Sequence, residues 1–495
     1  MIHRRLDKRL GLLLLAGAAL IGPVTAYSHD DDSRNSGPGS GHSGRDRDRF
    51  EIRTLSNRAD LISGGDALVE VQAPKDVDLN DVVITLNGRN ITATFTRNTA
   101  ARSFRGLVSG LRDGRNTLEA GARKHHGSDH EEKLEITNHP IGGPVLLGSQ
   151  TTPWICATPA AVPQVGNTPA SNASGLTTFA VDEQCNIATE FHLFYRTRTA
   201  ACAFVLPDPS PTSIAPTPAN SCFQPYVPGV TPADLVASTT TSTGVTLPYI
   251  VRVERGTLNR GIYDIAVLFD PTKPAWTPTA PQPQWNGKLL YTFGASTGQP
   301  RLQFRSEQNW VVAGITGTND DSALRLGFMV ADNSLTDSLF NSNRVLNAET
   351  LMLMKEDIVD TYGEIKYTMG NGCSGGSIQQ NTAASIFPGL LDGIQPSCDF
   401  PDSITTGLEV TDCVLLVNFY AGQEWGDLMK AAGLTQAQIN AKKAAINGHL
   451  DQNGCQQWNN QFGFNNKPGN YARTLVAAAD AQTGRLTLQN ESRNN

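Results

Sequence analysis

Gly372-Cys373-Ser374-Gly375-Gly376 is the stretch of this chain whose residue types and spacing suit covalent chemistry. A serine between glycines can sit on a backbone turn too tight for neighbouring side chains, which lifts its hydroxyl clear of the surrounding atoms. The longer segment Tyr367-Thr-Met-Gly-Asn-Gly-Cys-Ser-Gly-Gly-Ser-Ile-Gln-Gln380 reads as a strand, that turn, and then a helix. The pattern is G-x-S-x-G, that of a nucleophile elbow, with Ser374 as the candidate nucleophile. A helix starting there would aim its free N–H groups and the positive end of its dipole at a developing oxyanion, so acyl transfer is the chemistry implied. Gly375 would give one backbone donor. Ala295, in the glycine loop Gly294-Ala-Ser-Thr-Gly298 behind an apolar strand, would give the other.

A Gly/Ser cluster can also be an ordinary flexible turn, so the flanking elements have to decide. Asn347 to Asp360 has helical spacing, with Leu351, Met354, Ile358 and Val359 able to share a face. Phe387 to Cys398 reads as a helix end and then a short apolar strand. Tyr249–Glu254 and Gly261–Phe269 suggest a hairpin turning at Asn259-Arg260. Lys288–Phe293 and Trp310–Ile315 are apolar enough to be buried parallel strands. Together these predict an α/β-hydrolase core over 246–400, a mostly parallel sheet with helices on both faces.

The rest of the 495 residues leaves room for further domains. Arg4, Arg5, Lys8 and Arg9, the apolar run Gly11–Gly22 and Val24-Thr-Ala26 form a secretory signal pattern over 1–26. That run is shorter than the roughly 20 apolar residues of a membrane span, so a secreted or periplasmic protein without a span is expected. Residues 27–49 have almost nothing to bury and read as a disordered linker. Short β-type runs at Leu68–Val71, Val82–Leu86, Ile91–Phe95, Asn116–Glu119 and Lys133–Thr137, with a hairpin signal at Asn87-Gly88, predict a small all-β, immunoglobulin-like sandwich over 50–140. His125, His126 and His130 in that region read as a polar hairpin tip, since their spacing is not that of a metal site. Residues 141–245 are rich in Pro, Thr, Ser and Ala and read as a loop-rich connector. In an exported protein the eight cysteines are expected to pair, with Cys156–Cys185 and Cys202–Cys222 as local candidates and Cys373, Cys398, Cys413 and Cys455 as a later group. The net charge of −7 argues against nucleic acid as a partner, and no pattern calls for a cofactor or a metal.

A serine hydrolase needs an acid and then a histidine after its nucleophile. His449 is the only histidine beyond Ser374, and Asp392, Asp399, Asp402, Asp412 and Asp427 lie between them. Asp402 and Asp412, after the strand that follows the elbow, are the better placed acids; Asp392 faces the wrong edge of the sheet. Beyond Val417 the chain reads as amphipathic helices, one opened by a Thr435 cap, with no further pair of buried strands to carry acid and base. Residues 401–495 are therefore expected to be a helical, lid-like segment of a truncated hydrolase from which acid and histidine are missing, with His449 as base and Asp402 or Asp412 as acid the alternative. The competing reading is a non-catalytic secreted protein that binds a polymer or glycan on a hydrolase scaffold. Cys373 as the nucleophile is a further alternative.

Trp285–Gly294, Glu349–Met354, Gly370–Ser377, Pro388–Ile394 and Pro396–Asp402 together resemble a family of secreted bacterial α/β-hydrolase-like proteins of unknown function. That family is more distantly similar to tannases, feruloyl esterases and extracellular polyhydroxybutyrate depolymerases, and the resemblance runs from about Phe50 to about Asn466. It implies an N-terminal β domain, Ser374 as nucleophile, and a small-molecule or polymeric ester as substrate. In tannase-like enzymes a cysteine beside the nucleophile is bridged to one beside the catalytic histidine. Cys373 matches the first position, and this chain has no His-Cys pair to match the second.

Overall fold

The computed structural model describes residues 49–122, 131–146, 148–150, 152–165, 170–204, 219–306, 321–448 and 453–462. The expected signal and the expected linker up to residue 48, His125, His126, His130, the strand expected at Trp310–Ile315 and His449 lie outside those residues.

The N-terminal strands make two sheets with one core. Glu51–Thr54, Asp66–Gln72, Thr96–Asn98 and Ser103–Ser109 form a four-stranded sheet; Ile62–Ser63, Val82–Leu86, Arg89–Asn90, Gly114–Ala122 and Glu131–His139 form a five-stranded one. Alternation along each strand sends Val69, Val71, Phe104 and Val108 of the first sheet and Ile84, Leu118, Ala120 and Ile136 of the second into a shared apolar layer. Asn87 and Gly88 both take positive φ, 50° and 79°, as the tight hairpin requires. Ile91–Phe95, expected as a strand, instead contains a 3₁₀ turn at Thr92–Thr94. Asn90 Oδ1 accepts the Thr92 N–H at 2.9 Å and Thr94 Oγ1 donates to the Ile91 carbonyl at 2.8 Å, so local side-chain bonds replace a ladder.

The second region is built on an eight-stranded sheet. Its strands are β1 (Glu190–Arg196), β2 (Phe223–Pro225), β3 (Ile250–Leu258), β4 (Gly261–Leu268), β5 (Lys288–Phe293), β6 (Met329–Asn333), β7 (Tyr367–Cys373) and β8 (Gly393–Ser397), in the spatial order β2-β1-β3-β4-β6-β5-β7-β8. β6, β5, β7 and β8 run parallel, and the other pairings are antiparallel. The sheet is therefore mixed rather than mostly parallel. Its antiparallel half comes from the β3–β4 hairpin, turning at Asn259 and Arg260 with φ of 53° and 69°, and from two short strands of the loop-rich connector.

Both faces of the sheet are buried. Tyr263, Ile265 and Val267 of β4 pack with Leu351, Met354 and Ile358 of helix α1 (Arg344–Tyr362), while Ala266 and Leu268 face Phe194, Phe223 and Leu324. Helices were expected on both faces. Among the described residues the second face is filled instead by connector segments, one of them closed by the Cys202–Cys222 bridge, and by the one-turn helix Ser322–Arg325. A second bridge, Cys156–Cys185, ties the start of the connector. After β8 the chain is helical: α3 (Ser403–Ala421), α4 (Gln423–Ala431), α5 (Gln436–Asn447) and α6 (Asn453–Phe462), with a Thr435–Gln438 capping box opening α5 and a Cys413–Cys455 bridge joining α3 to α6; helix α2 (Gly375–Ile386) precedes β8.

α1 is buried nearly all round rather than on one face. Its apolar residues meet the sheet, and its acids Glu356 and Asp360 meet the sandwich. Glu356 accepts the Ser63 N–H at 2.5 Å and the Asn57 amide at 2.8 Å; Asp360 accepts the Leu68 N–H at 2.6 Å and the Ser56 hydroxyl. Dry surroundings push Glu356 up to about 8 and Asp360 up to about 7, outweighing the hydrogen bonds that favour their charged forms.

Candidate functional site

Because β5, β6, β7 and β8 are parallel, the loops leaving their C-terminal ends gather at one edge of the sheet. Strand order reverses there, since the chain steps from β5 to β6 and then crosses back to β7. Ser374 lies at that edge between β7 and α2, half-buried, with φ 57° and ψ −115°. Such a backbone conformation is costly for a residue with a Cβ and persists only where the surroundings enforce it.

The surroundings do so by crowding and by hydrogen bonds. A methyl group at Gly372 would lie 2.7 Å from the Phe293 carbonyl oxygen, one at Gly376 2.4 Å from the same oxygen, and one at Gly375 1.9 Å from the Ser296 carbonyl oxygen. Only glycine lets the turn press this closely against the end of β5. The Ser374 N–H donates to the Ser397 carbonyl at 3.0 Å, and the Ser374 carbonyl accepts the Ser377 N–H at 2.9 Å and the Ser377 hydroxyl at 2.7 Å. Gln380 spans the turn, donating to the Gly372 carbonyl at 3.1 Å and accepting the Gln395 N–H at 2.9 Å. Cys373 is bridged to Cys398, just past β8. That bridge leaves no thiolate for the alternative in which Cys373 attacks, and it resolves the partner that the sequence left open.

The loop after β5 meets the elbow through Ser296 and is braced by the loop after β6. The Ser338 N–H donates to the Gly294 carbonyl at 3.1 Å, the Ser342 hydroxyl donates to the Gly298 carbonyl at 3.0 Å, and the Ser342 N–H donates to Gln299 Oε1 at 3.1 Å. Asp337 packs where any side chain on Gly294 would have to go. The fold thus brings Ser374, Gly375 and the Ala295 loop together at one edge.

The acid candidates are placed otherwise. Asp402 N-caps α3, accepting the Ile404 N–H at 2.7 Å and the Thr405 N–H at 2.9 Å; the Thr405 N–H above all holds its carboxyl below the usual range. Asp412 is exposed in the middle of α3. Asp392 accepts the Thr368 N–H at 2.7 Å at the opposite end of β7, and Asp399 accepts from the Asn381 amide at 3.0 Å. Asp427 lies on α4. Two histidines are described. His139 faces the Asp60 carbonyl in the sandwich, and His192 sits beside Glu190 on β1, five strand positions from β7, or roughly 24 Å at about 4.8 Å per strand. Among the described residues no group of three or more His, Cys, Asp or Glu is arranged to hold a metal, and no helix is long and apolar enough to cross a membrane.

Sequence reasoning missed β6 and the loop 334–342 behind it. The signal was the short apolar run Met329-Val-Ala331 followed by Asn333, whose side chain accepts the Leu335 N–H at 2.8 Å and opens a 3₁₀ turn.

Residues 52–494 match the model of a tannase-like family of unknown function (DUF6351). The chain belongs to that family. No curated protein sequence matches this tannase-like chain. Among solved structures it is similar to juvenile hormone epoxide hydrolase from the silkworm Bombyx mori, at 13% identity over 34% of this chain and 38% of the other, with a TM-score of 0.17. It is similar also to prolyl endopeptidase, at 14% identity over 67% and 45% with a TM-score of 0.19, and to oligopeptidase B from Leishmania major, at 11% identity over 72% and 50% with a TM-score of 0.20. The tannase-like chain thus spans half or less of the length of each of these structures.

Proposed function

We propose that this tannase-like chain is a carboxylic-ester hydrolase with an α/β-hydrolase core, in which Ser374 is the nucleophile and the N–H groups of Gly375 and Ala295 receive the oxyanion. One observation carries the reading: a serine held at φ 57° and ψ −115° between a parallel strand and a helix, where three glycines admit no side chain. Strain of this kind is stored where it presents a group for reaction. The order β3-β4-β6-β5-β7-β8, with the elbow after β7, supports the hydrolase core, and the family's tannase-like character supports an ester of the tannin kind; feruloyl and polyester substrates are the wider class that the sequence resemblance suggests. His449 remains the base candidate of the sequence. Asp412 is the remaining acid of the two first favoured, because the Asp402 carboxylate already caps α3. We further infer export to the periplasm or medium, supported by the N-terminal pattern and by four disulfides, and an immunoglobulin-like character for the sandwich.

A fluorophosphonate probe tests the reading, since it reacts only with an activated serine. Wild-type protein is expected to be labelled at Ser374, and Ser374→Ala is expected to lose labelling and any ester turnover by about 10⁴-fold. Wild-type protein that stays unlabelled would return the chain to the class of non-catalytic binding proteins.

A further inference from the structure

The residue beside the elbow that no motif accounts for is Ser338. It lies in the loop after β6, 6% exposed, and its Oγ has no hydrogen-bond partner among the described residues. A methyl group at Gly375 would lie 2.6 Å from this Oγ and equally close to its Cβ, so the hydroxyl sits directly against the backbone whose N–H the proposed mechanism uses. Its position is fixed, because the Ser338 N–H donates to the Gly294 carbonyl at 3.1 Å, in the same loop that carries Ala295. The residue is buried as a whole, yet its Oγ is not among the fully enclosed polar atoms that lack a partner, so the hydroxyl keeps an open side from which it can donate to a ligand.

We infer that Ser338 is a third, side-chain donor to the oxyanion, an inference that rests on Ser374 being the nucleophile. As Ser374 Oγ bonds to the carbonyl carbon, the carbonyl π pair moves onto oxygen and the serine proton passes to the base. Ser338 donates a hydrogen bond to that oxygen and gives up no proton. A fixed, partly desolvated donor is worth more here than in water, because it needs no reorganisation as the charge develops. The ligand class is any acyl or phosphonyl group whose oxygen gains charge on attack.

The test compares labelling of the full chain by a phosphonofluoridate and by its P=S counterpart, in wild type and in Ser338→Ala. In each reaction the Ser374 O–P bond forms, the P–F bond breaks, and fluoride and the serine proton leave to solvent. Losing one oxyanion donor is expected to slow the P=O reaction by about 10²-fold. The P=S reaction should slow far less, because sulfur is a poor acceptor, so the ratio of the two rates collapses. That ratio does not depend on the fraction of molecules folded, and a purely structural role would lower both rates together. An unchanged ratio in Ser338→Ala, with Ser374 labelled in wild type, overturns the inference and leaves the nucleophile standing. A wild-type protein unlabelled at Ser374 overturns both.

Discussion

The elbow and the α1–sandwich junction hold their key groups by opposite means. At the elbow, Ser374 is fixed chiefly by packed backbone: carbonyls of Phe293 and Ser296 fill the space a side chain would need, and Ser374's own N–H and C=O are paired, with the uncharged Ser377 and Gln380 side chains adding hydrogen bonds. At the junction, Glu356 and Asp360 are fixed by side chains and amides brought from nearly 300 residues away, from Ser56, Asn57, Ser63 and Leu68. The first device uses no titratable group and is indifferent to pH. The second is assembled only when two regions dock, and it stores titratable groups in a dry place. A strained reactive residue is better served by the first kind, which cannot relax by gaining or losing a proton.

Adding one carbon should separate steric locking from every weaker effect. Gly375→Ala would set a methyl 1.9 Å from a backbone carbonyl oxygen, and neither partner can swing away as a flexible side chain would. The expected result is a loss of fluorophosphonate labelling and a destabilisation of about 3 kcal/mol or more, at the upper end of overpacking. Gly426 gives the control. It lies inside α4 with nothing within 4 Å of an added methyl, so Gly426→Ala should stabilise by roughly 0.5–1 kcal/mol with labelling unchanged. Equal labelling by the two variants would show that crowding does not hold the elbow.

The junction should answer to pH where the elbow does not. Ordinary values of 4.5 and 3.8 for Glu356 and Asp360 rise to about 8 and about 7 in the folded protein, chiefly through desolvation. Between about pH 4 and pH 8 the folded state therefore keeps protons that the unfolded state has released, and stability falls as pH rises through that window. It is fully present below the unfolded values and flattens above about 8. Asp66, Asp357 and Glu254 are raised by burial too and lie close enough to add to the slope. Each tenfold difference in proton affinity between the folded and unfolded states corresponds to about 1.4 kcal/mol, so shifts of this size in two groups make the decline large enough to dominate the pH profile. Urea midpoints at pH 5 and 8.5 measure it, and Glu356→Gln should flatten the profile. A wild-type profile that climbs with pH would contradict the burial of these acids as neutral groups.

What could be read from sequence follows the same division. The glycine pattern around Ser374, the Asn87-Gly88 hairpin and the Thr435 cap were legible because each depends on residues within a few positions. β6 was not, because five residues become a strand only through β5 on one side and β4 on the other. Glu356 and Asp360 lie off the apolar face that the spacing of α1 marks out, and nothing within α1 announces that a sandwich will cover them. Ser338 was invisible for a similar reason, since its meaning comes from Gly375 across the sheet edge.

Asp402 carries a local signal that admits two readings, and it gives the smallest expected effect. Its position after β8 made it a catalytic acid by analogy, yet Asp402-Ser-Ile-Thr405 also fits a helix N-cap, and the carboxylate accepts two N–H groups and the Thr405 hydroxyl at 3.0 Å. An N-cap replaced by alanine costs about 1 kcal/mol. Asp402→Ala should therefore lower the unfolding midpoint slightly and leave the rate of Ser374 labelling within about twofold. A catalytic acid behaves differently, since it orients the base and its loss costs about 10⁴-fold in turnover. A collapse of labelling with little change in stability would thus restore Asp402 to the triad and require the α3 cap to open in the reacting state. The cap geometry argues for the first outcome, because a carboxylate already satisfied by the start of α3 has little left to offer an imidazole.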